Sequence, residues 1–151
     1  MDNGGMTMNA KKKESLVNHH VPSLLMDMGI RPTRQRLALA SYLFDGNHKH
    51  FTADHVVDAM RKKNARVSLA TVYNNLHHFT KAGLLREIAV DQSCSYFDTN
   101  TTIHGHYYDE ETNELYDIPD EALTMINLPT PPDGRRFTRV DITIRLAKSD
   151  E

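Results

Sequence analysis

Between residues 15 and 83 the chain repeats one pattern four times: apolar residues at helical spacing, most runs opened by a capping residue and closed by glycine or by basic side chains. In the first run Leu16, Val17, Val21, Leu24, Leu25 and Met28 precede Gly29, and Pro22 makes the helix short or frayed at its start. Thr33 caps the second, in which Leu37, Ala40, Leu43 and Phe44 recur until Gly46. Thr52 opens the third, where Val56, Val57 and Met60 form a stripe and Arg61-Lys62-Lys63 close the last turn, as the helix dipole favours. Ser68 or Leu69 starts the fourth, which runs through Lys81 with Val72, Leu76 and Phe79 inward and Gly83 as its stop. Four short helices in about 65 residues, the last two tightly linked, predict a helix-turn-helix.

Residues 84–90 and 94–98 read as two strands around the polar turn Asp91-Gln92-Ser93, and a hairpin directly after a helix-turn-helix makes a winged helix. Beyond it, residues 104–108 and 115–118 read as short strands. Pro119, at a first helical position, opens a helix to about Asn127, and residues 128–134 form a stiff proline-rich loop. Val140, Ile142, Ile144 and Leu146 then alternate with Arg139, Asp141, Thr143 and Arg145, the cleanest period-2 run in the chain. Three strands and one helix bury little alone, so pairing with a second copy is the economical solution. The expected fold class is α+β: a disordered arm over residues 1–14, an N-terminal winged helix-turn-helix DNA-binding domain over 15–99, and a small C-terminal α/β dimerisation and ligand-sensing domain over 100–148.

Charge divides along the same line. Residues 1–99 carry net +4 and residues 100–151 net −6, within a total of −2. Residues 29–90 reach +6, to which Arg31, Arg34, Arg36, Lys62, Lys63, Arg66, Lys81 and Arg86 contribute. A basic half points to a polyanion partner and supplies a salt-dependent attraction to phosphate. No apolar stretch approaches the roughly 20 residues that cross a bilayer, and polar residues 14–20 stand where a secretory signal needs its apolar core, so the expected location is the cytoplasm, without membrane contact. The one cysteine, Cys94, excludes an intramolecular disulfide and any Cys-x-x-Cys zinc knuckle, which leaves nitrogen and oxygen ligands for a metal.

Two constellations carry chemistry. With Val72, Leu76 and Phe79 inward, Ser68, Thr71, Asn74, Asn75 and His78 fall on or near the outer face of the fourth helix, where each can hydrogen-bond to phosphates or base edges. Tyr73 either reaches out to a thymine methyl or plugs the helix against the hairpin, and a polar helix face is also what solvent selects. The second constellation lies among nine histidines. His104 and His106, on a strand, place both imidazoles on one face roughly 6.6 Å apart by strand rise, close enough to converge on one metal ion. That arrangement suits a bis-histidine haem poorly, because axial ligands approach iron from opposite faces; one of the two, alone or with a partner elsewhere, is easier. Surface histidines are the plainer reading, with Asp98, Asp117 and the His48/His50 pair making a mixed nitrogen and oxygen shell feasible.

Six motifs in order, Arg31-Pro32-Thr33-Arg34-Gln35-Arg36, His50-Phe51-Thr52-Ala53, Leu69-Ala70-Thr71-Val72-Tyr73, Ala82-Gly83-Leu84, Tyr96-Phe97-Asp98 and His104-Gly105-His106, resemble the ferric uptake regulator family. More narrowly, Phe97-Asp98-Thr99-Asn100-Thr101-Thr102, Asp117-Ile118-Pro119, Leu128-Pro129 with Pro131-Pro132, and Arg139-Val140-Asp141 resemble its haem-responsive branch, the iron response regulators (Irr). The resemblance implies a dimeric winged-helix repressor with a hinge near residues 98–103, binding inverted-repeat operators. It implies action in iron scarcity on haem-synthesis and iron-homeostasis genes, ended by haem. It places His50, Asp98, His104, His106 and Asp117 on the family's metal site for Fe, Mn or Zn, with His104 and His106 as haem candidates. Tyr73 falls on its base-contacting tyrosine, Arg31 on the basic residue that enters the minor groove, and Arg34, Ser68, Thr71, Asn74 and Asn75 complete the expected DNA contacts.

The departures are equally specific. Asp109 and Thr112 stand where the first cysteine pair of the family's structural zinc would be, and the second pair has no counterpart. Asn74 replaces the usual arginine after the tyrosine, so base preference should differ, and Gly105 interrupts the three consecutive histidines of many Irr-like proteins. The alternative within the family is a Mn, Fe or Zn sensor, or a peroxide sensor working through metal-catalysed histidine oxidation. A histidine-based metalloenzyme is disfavoured, since neither a general base nor a nucleophile motif is evident.

Overall fold

The computed structural model describes residues 21–124 and 127–150, so the expected arm over residues 1–14 and the helix start over 15–20 lie outside the described residues. The chain divides into two compact units between Thr102 and Ile103.

The first unit opens with α1 (Val21–Asp27), which carries Pro22 in its first turn, where a missing N–H costs nothing. Gly29 ends this segment at φ +72°, and the N–H of Ile30 returns to the Leu25 carbonyl at 2.8 Å. In α2 (Arg34–Leu43) the N-cap hydroxyl of Thr33 accepts from Arg36 N, and Leu39, Ala40 and Leu43 are buried. The helix stops three residues before Gly46, and the inward stripe includes Leu39, which strict counting from Leu37 leaves out. After β1 (His50–Thr52) comes α3 (Ala53–Lys62), whose capping box is closed by His55 in place of the usual Glu or Gln: Thr52 N donates to His55 Nδ1 at 3.2 Å while Thr52 Oγ1 accepts from His55 N at 3.3 Å. Ser68 caps α4 (Leu69–Lys81), and Gly83 at φ +85° lets Leu84 N return to Phe79 O.

Strands β2 (Arg86–Ala89) and β3 (Ser95–Asp98) form the hairpin; β2 starts two residues later than expected, each strand is one residue shorter at the turn, and β3 ends at Asp98 as expected. Its turn is organised by Asp91, whose carboxylate accepts from Ser93 N at 2.7 Å and Cys94 N at 3.1 Å. The sequence reading did not anticipate β1, which pairs antiparallel with β3 to give the sheet order β1-β3-β2. Leu25, Leu39, Leu43, Val56, Leu76 and Phe79 are fully buried against Phe97 of the sheet, so the helical stripes and the hairpin close over one core.

The second unit holds β4 (His106–Asp109), β5 (Glu114–Asp117), the single-turn α5 (Asp120–Leu123) and β6 (Thr143–Leu146). The sheet order is β5-β4-β6, with β5 antiparallel and β6 parallel to β4. Pro119 is the N-cap of α5 and not its first helical residue, and residues 125–126 lie outside the described residues. The period-2 run forms a strand only over its second half. Ile144 and Leu146, expected to be half-buried, are 43% and 38% exposed in a single chain, because the unit's small core of Tyr108, Leu115 and Ile118 does not reach them. No helix among the described residues is long and apolar enough to cross a membrane.

Phe97 is buried completely and its ring stacks on Phe51 at 5.9 Å. Truncation to alanine leaves a cavity where β1, β3 and the helices meet. Phe97→Ala is expected to lower the unfolding free energy by about 3–5 kcal/mol in a urea titration; a loss under about 1 kcal/mol would show that this ring is not central to the core.

Candidate functional site

The candidate face for nucleic acid is the one expected from the sequence on α4. Burial of Val72, Leu76 and Phe79 turns the opposite side of the helix outward, and Ser68, Asn74 and His78 are exposed there, with Thr71 and Tyr73 half-buried. Ser68 Oγ accepts from Thr71 N at 3.1 Å and donates to Thr71 Oγ1 at 2.9 Å, so the Ser68 hydroxyl is committed to the cap while Thr71 Oγ1, here an acceptor, keeps its own proton to donate. Tyr73 stacks on His77 with ring centroids 6.1 Å apart, and His77 meets Phe97 edge-on at 6.1 Å. Partial burial pushes the Tyr73 phenol above its ordinary range, with Cys94, Asp54 and Glu87 adding to the rise. The hydroxyl therefore stays protonated and available as a donor at neutral pH.

Two expectations for this face are corrected. Asn75, placed by sequence on or near the outer face, is 7% exposed: its Oδ1 accepts from Arg36 Nε at 3.1 Å and its Nδ2 donates to the Thr71 carbonyl at 2.9 Å. Its position between Leu76 and the inward Val72 turns it toward α2. Arg86, counted among the phosphate-attracting cations, is 9% exposed and donates through Nη1 to the Thr102 carbonyl at 3.1 Å, where no phosphate can approach it closely. Arg31 and Arg34 are exposed as expected. Sequence reasoning treated Arg36 only as surface charge, yet its guanidinium, half-buried, bonds to the Arg31 carbonyl, Asn75 and His78.

The metal candidates fall in both units. In the first, His50 and Asp98 are register partners across β1 and β3, and His50 Nε2 donates to Asp98 Oδ2 at 3.1 Å. Asp98 is fully buried, and its Oδ1 accepts from Asn100 N at 2.7 Å, which turns the chain as it leaves the sheet. In the second unit His106 and Asp117 are register partners across β4 and β5, and His104 lies just before β4 rather than in it. His104 Nε2 stands 3.0 Å and His106 Nε2 3.6 Å from Asp117 Oδ1, with the imidazole centroids 4.4 Å apart. Both histidines are buried while Asp117 is half-exposed at its side chain, so two nitrogen donors and one carboxylate oxygen converge in a niche open on the acidic side. This donor set fits Fe(II), Mn(II) or Zn(II). It does not fit a bis-histidine haem, whose axial ligands must stand on opposite faces of the macrocycle.

Residue 105 faces the other way. A Cβ on Gly105 would lie 3.0 Å from Ile118 Cδ1 and 3.2 Å from Leu123 Cδ2, and the Gly105 carbonyl accepts from Ile118 N at 2.9 Å. A side chain there meets the apolar packing between β5 and α5, on the side away from the imidazoles. The turn between β4 and β5, where Asp109 and Thr112 replace the cysteines, is held by Asp109, whose Oδ1 accepts from Glu111 N at 2.8 Å and Thr112 N at 3.2 Å.

A family model, the Ferric uptake regulator family, matches residues 27–145. The chain belongs to this family. Among its relatives, the peroxide-responsive repressor PerR of Staphylococcus epidermidis (strain ATCC 12228 / FDA PCI 1200) is 39% identical over 94 residues, and this chain spans 62% of that protein with 62% of its own length. PerR of Staphylococcus aureus (strain Mu50 / ATCC 700699) is 39% identical over 102 residues, 68% of each chain. In fold the chain is similar to the ferric uptake regulator of Pseudomonas aeruginosa, solved with manganese, at TM-score 0.65 and 22% identity over 85% of this chain and 97% of that one. The Vibrio cholerae ferric uptake regulator gives TM-score 0.67 at 20% identity, over 84% and 98%.

Crowding at Gly105 yields a prediction for the segment between the two buried histidines. Gly105→Val must displace Ile118 or Leu123, and is expected to cost about 1–3 kcal/mol in thermal or urea unfolding; an unchanged midpoint would mean that residue 105 faces open space.

Proposed function

We propose that this protein is an iron-responsive transcription regulator of the Irr type, which binds inverted-repeat operator DNA as a homodimer and takes its signal at a nitrogen- and oxygen-ligated metal site. The observation that carries this reading is the convergence of buried His104 and His106 on Asp117, at 3.0 and 3.6 Å. Buried imidazoles on a shared carboxylate are an expensive arrangement unless a cation or proton is held there. In this reading Asp117, His104 and His106 are ligands, and His50 and Asp98 are the further ligands that the family's pattern implies. A bound divalent ion supplies positive charge to these donors and so favours whichever arrangement of the chain brings them together. His50, hydrogen-bonded across the sheet to Asp98, presents a ring whose orientation is already fixed. Apolar side chains left uncovered on the second unit, Tyr116, Phe137, Ile144 and Leu146, are the surface for the second copy.

Readout of DNA falls to Tyr73, Thr71 and Asn74 on α4, supported by Ser68 at its cap and by Arg31 and Arg34 for the backbone and minor groove. The haem-responsive form of the proposal is favoured by the Irr-like segments at residues 97–102 and 117–119, with one of His104 or His106 as the single axial ligand. The peroxide-sensing form is favoured by the 38–39% identity to proteins named peroxide-responsive repressors.

The deciding experiment titrates metal-free protein separately with Mn(II), with Fe(II) under anaerobic conditions, and with haemin, while a gel shift on iron-gene promoter DNA reads binding. Saturable divalent binding near one ion per chain that changes DNA affinity, and is lost in His104→Ala/His106→Ala, supports the divalent reading. A saturable Soret band that tracks DNA release moves the signal to haem, and no response to any of the three overturns an iron-sensing role. Tyr73→Ala is expected to weaken specific binding by about 1–3 kcal/mol with the dimer intact by size-exclusion chromatography; unchanged affinity would remove α4 as the reader.

A further inference from the structure

Arg36 spends all three kinds of guanidinium nitrogen on other parts of the first unit. Its Nε donates to Asn75 Oδ1 at 3.1 Å, its Nη2 to His78 Nδ1 at 3.1 Å and its Nη1 to the Arg31 carbonyl at 3.0 Å. Its own N–H is the one capped by Thr33. One side chain thus ties the N-terminal turn of α2 and the Arg31 backbone to two successive turns of α4. Asn75 passes the link on, since its Nδ2 holds the Thr71 carbonyl at 2.9 Å. A planar fork of this kind fixes angle as well as distance, which a lysine ammonium does not.

The contact with His78 has a second consequence. A guanidinium has no lone pair to offer, so His78 Nδ1 accepts and the ring proton sits on Nε2, at the far side of the imidazole. His78 is exposed, one helical turn from Asn74 on the same side of α4. Its Nε2–H is therefore a donor of fixed tautomer and orientation on the face that reads DNA.

We propose that Arg36 is a positioning residue for sequence discrimination, locking Arg31 and the reading face of α4 into one register and presenting the His78 Nε2–H as an additional DNA contact. The inference rests on the DNA-reading role of α4 proposed above. Each of the three guanidinium nitrogens of Arg36 has one N–H engaged within the first unit, so the role proposed for it is to position other groups and not to hold a phosphate. It contributes to specificity without contributing to the salt-dependent part of affinity.

The test uses the full-length protein, a duplex that the wild type selects from a random-sequence pool, and an unselected duplex of equal length. Failure of the wild type to enrich any sequence would overturn the DNA-reading role itself, before Arg36 is at issue. With enrichment in hand, Arg36→Lys keeps the charge and removes the fork. It is expected to lower affinity for the selected duplex about tenfold or more, leave affinity for the unselected duplex within about twofold, and leave the salt slope unchanged. Asn75→Ala is expected to produce the same selective loss, and the double variant no more than the larger single effect. Parallel loss on both duplexes with a shallower slope would make Arg36 a phosphate contact and overturn the proposal, as would full retention of discrimination. Should Arg36→Lys unfold the first unit, His78→Ala, at an exposed position, carries the test: a selective loss on the selected duplex supports the proposal and none overturns it.

Discussion

The carboxylate of Asp98 has no access to water, and an ionised group so placed is tolerated only when its oxygens are partnered. One oxygen meets His50 across the β1–β3 ladder and the other holds the N–H of Asn100. The first contact requires β1, a three-residue strand whose only strong apolar anchor is Phe51, packed on Phe97. The second sets the turn that begins the segment between the units, continued by Asn100, whose Oδ1 accepts from Thr102 N and Oγ1. Arg86, buried opposite Asp98 in the register of β2 and β3, then holds the Thr102 carbonyl. Core packing, a candidate ligand and the path of the linker therefore share one buried side chain, and any change in what Asp98 binds must be felt at residues 98–102.

On the other side of the first unit the logic is reversed: polar groups are kept satisfied so that others stay free. Thr71 and Ser68 satisfy the cap of α4, Asn75 satisfies Arg36, and Arg36 satisfies the Arg31 carbonyl. What remains exposed at the surface, chiefly Asn74, His78 and the Arg31 and Arg34 side chains, is a short set of donors and acceptors on a frame that does not need them for stability. Separation of scaffold from contact residues is what lets a recognition helix change its base preference without losing its fold.

Helices and the hairpin were legible from sequence because their signals are local: Thr33 and Thr52 cap where they were expected to, α4 begins at Leu69, one of the two starts the sequence offered, and the stripes of α3 and α4 face the core. β1 was not legible, because His50-Phe51-Thr52 is too short for a periodicity and its register partners lie 44 to 48 residues away in the chain. The strand around Val140 was overread for a related reason. Alternation records which face is buried in the functional assembly, and in one chain Ile144 and Leu146 have nothing to pack on. At the candidate sites, histidine and aspartate identities were readable while their partners were not. Asn75 and Arg86 were assigned outward by counting 100° per residue or by charge alone, and their burial follows from a cross-helix hydrogen bond and a sheet register that no single-helix projection contains.

The turn between β4 and β5 shows how one requirement can be met by two chemistries. Bringing these strands together needs residues 109–112 to reverse direction with their N–H groups satisfied. A metal gripped by two cysteines can impose that geometry; here Asp109 does so by accepting from Glu111 N and Thr112 N, and Asn113 completes the reversal at φ +56° while its Oδ1 accepts from the Tyr108 hydroxyl at 2.7 Å. Arg145 of β6 reaches Glu110 in the same turn at 2.8 Å and lies over the Tyr108 ring. A hydrogen-bonded turn of this kind is independent of zinc supply and thiol oxidation. Among the described residues, clustered donors that could hold a metal ion are then histidine nitrogens and aspartate oxygens.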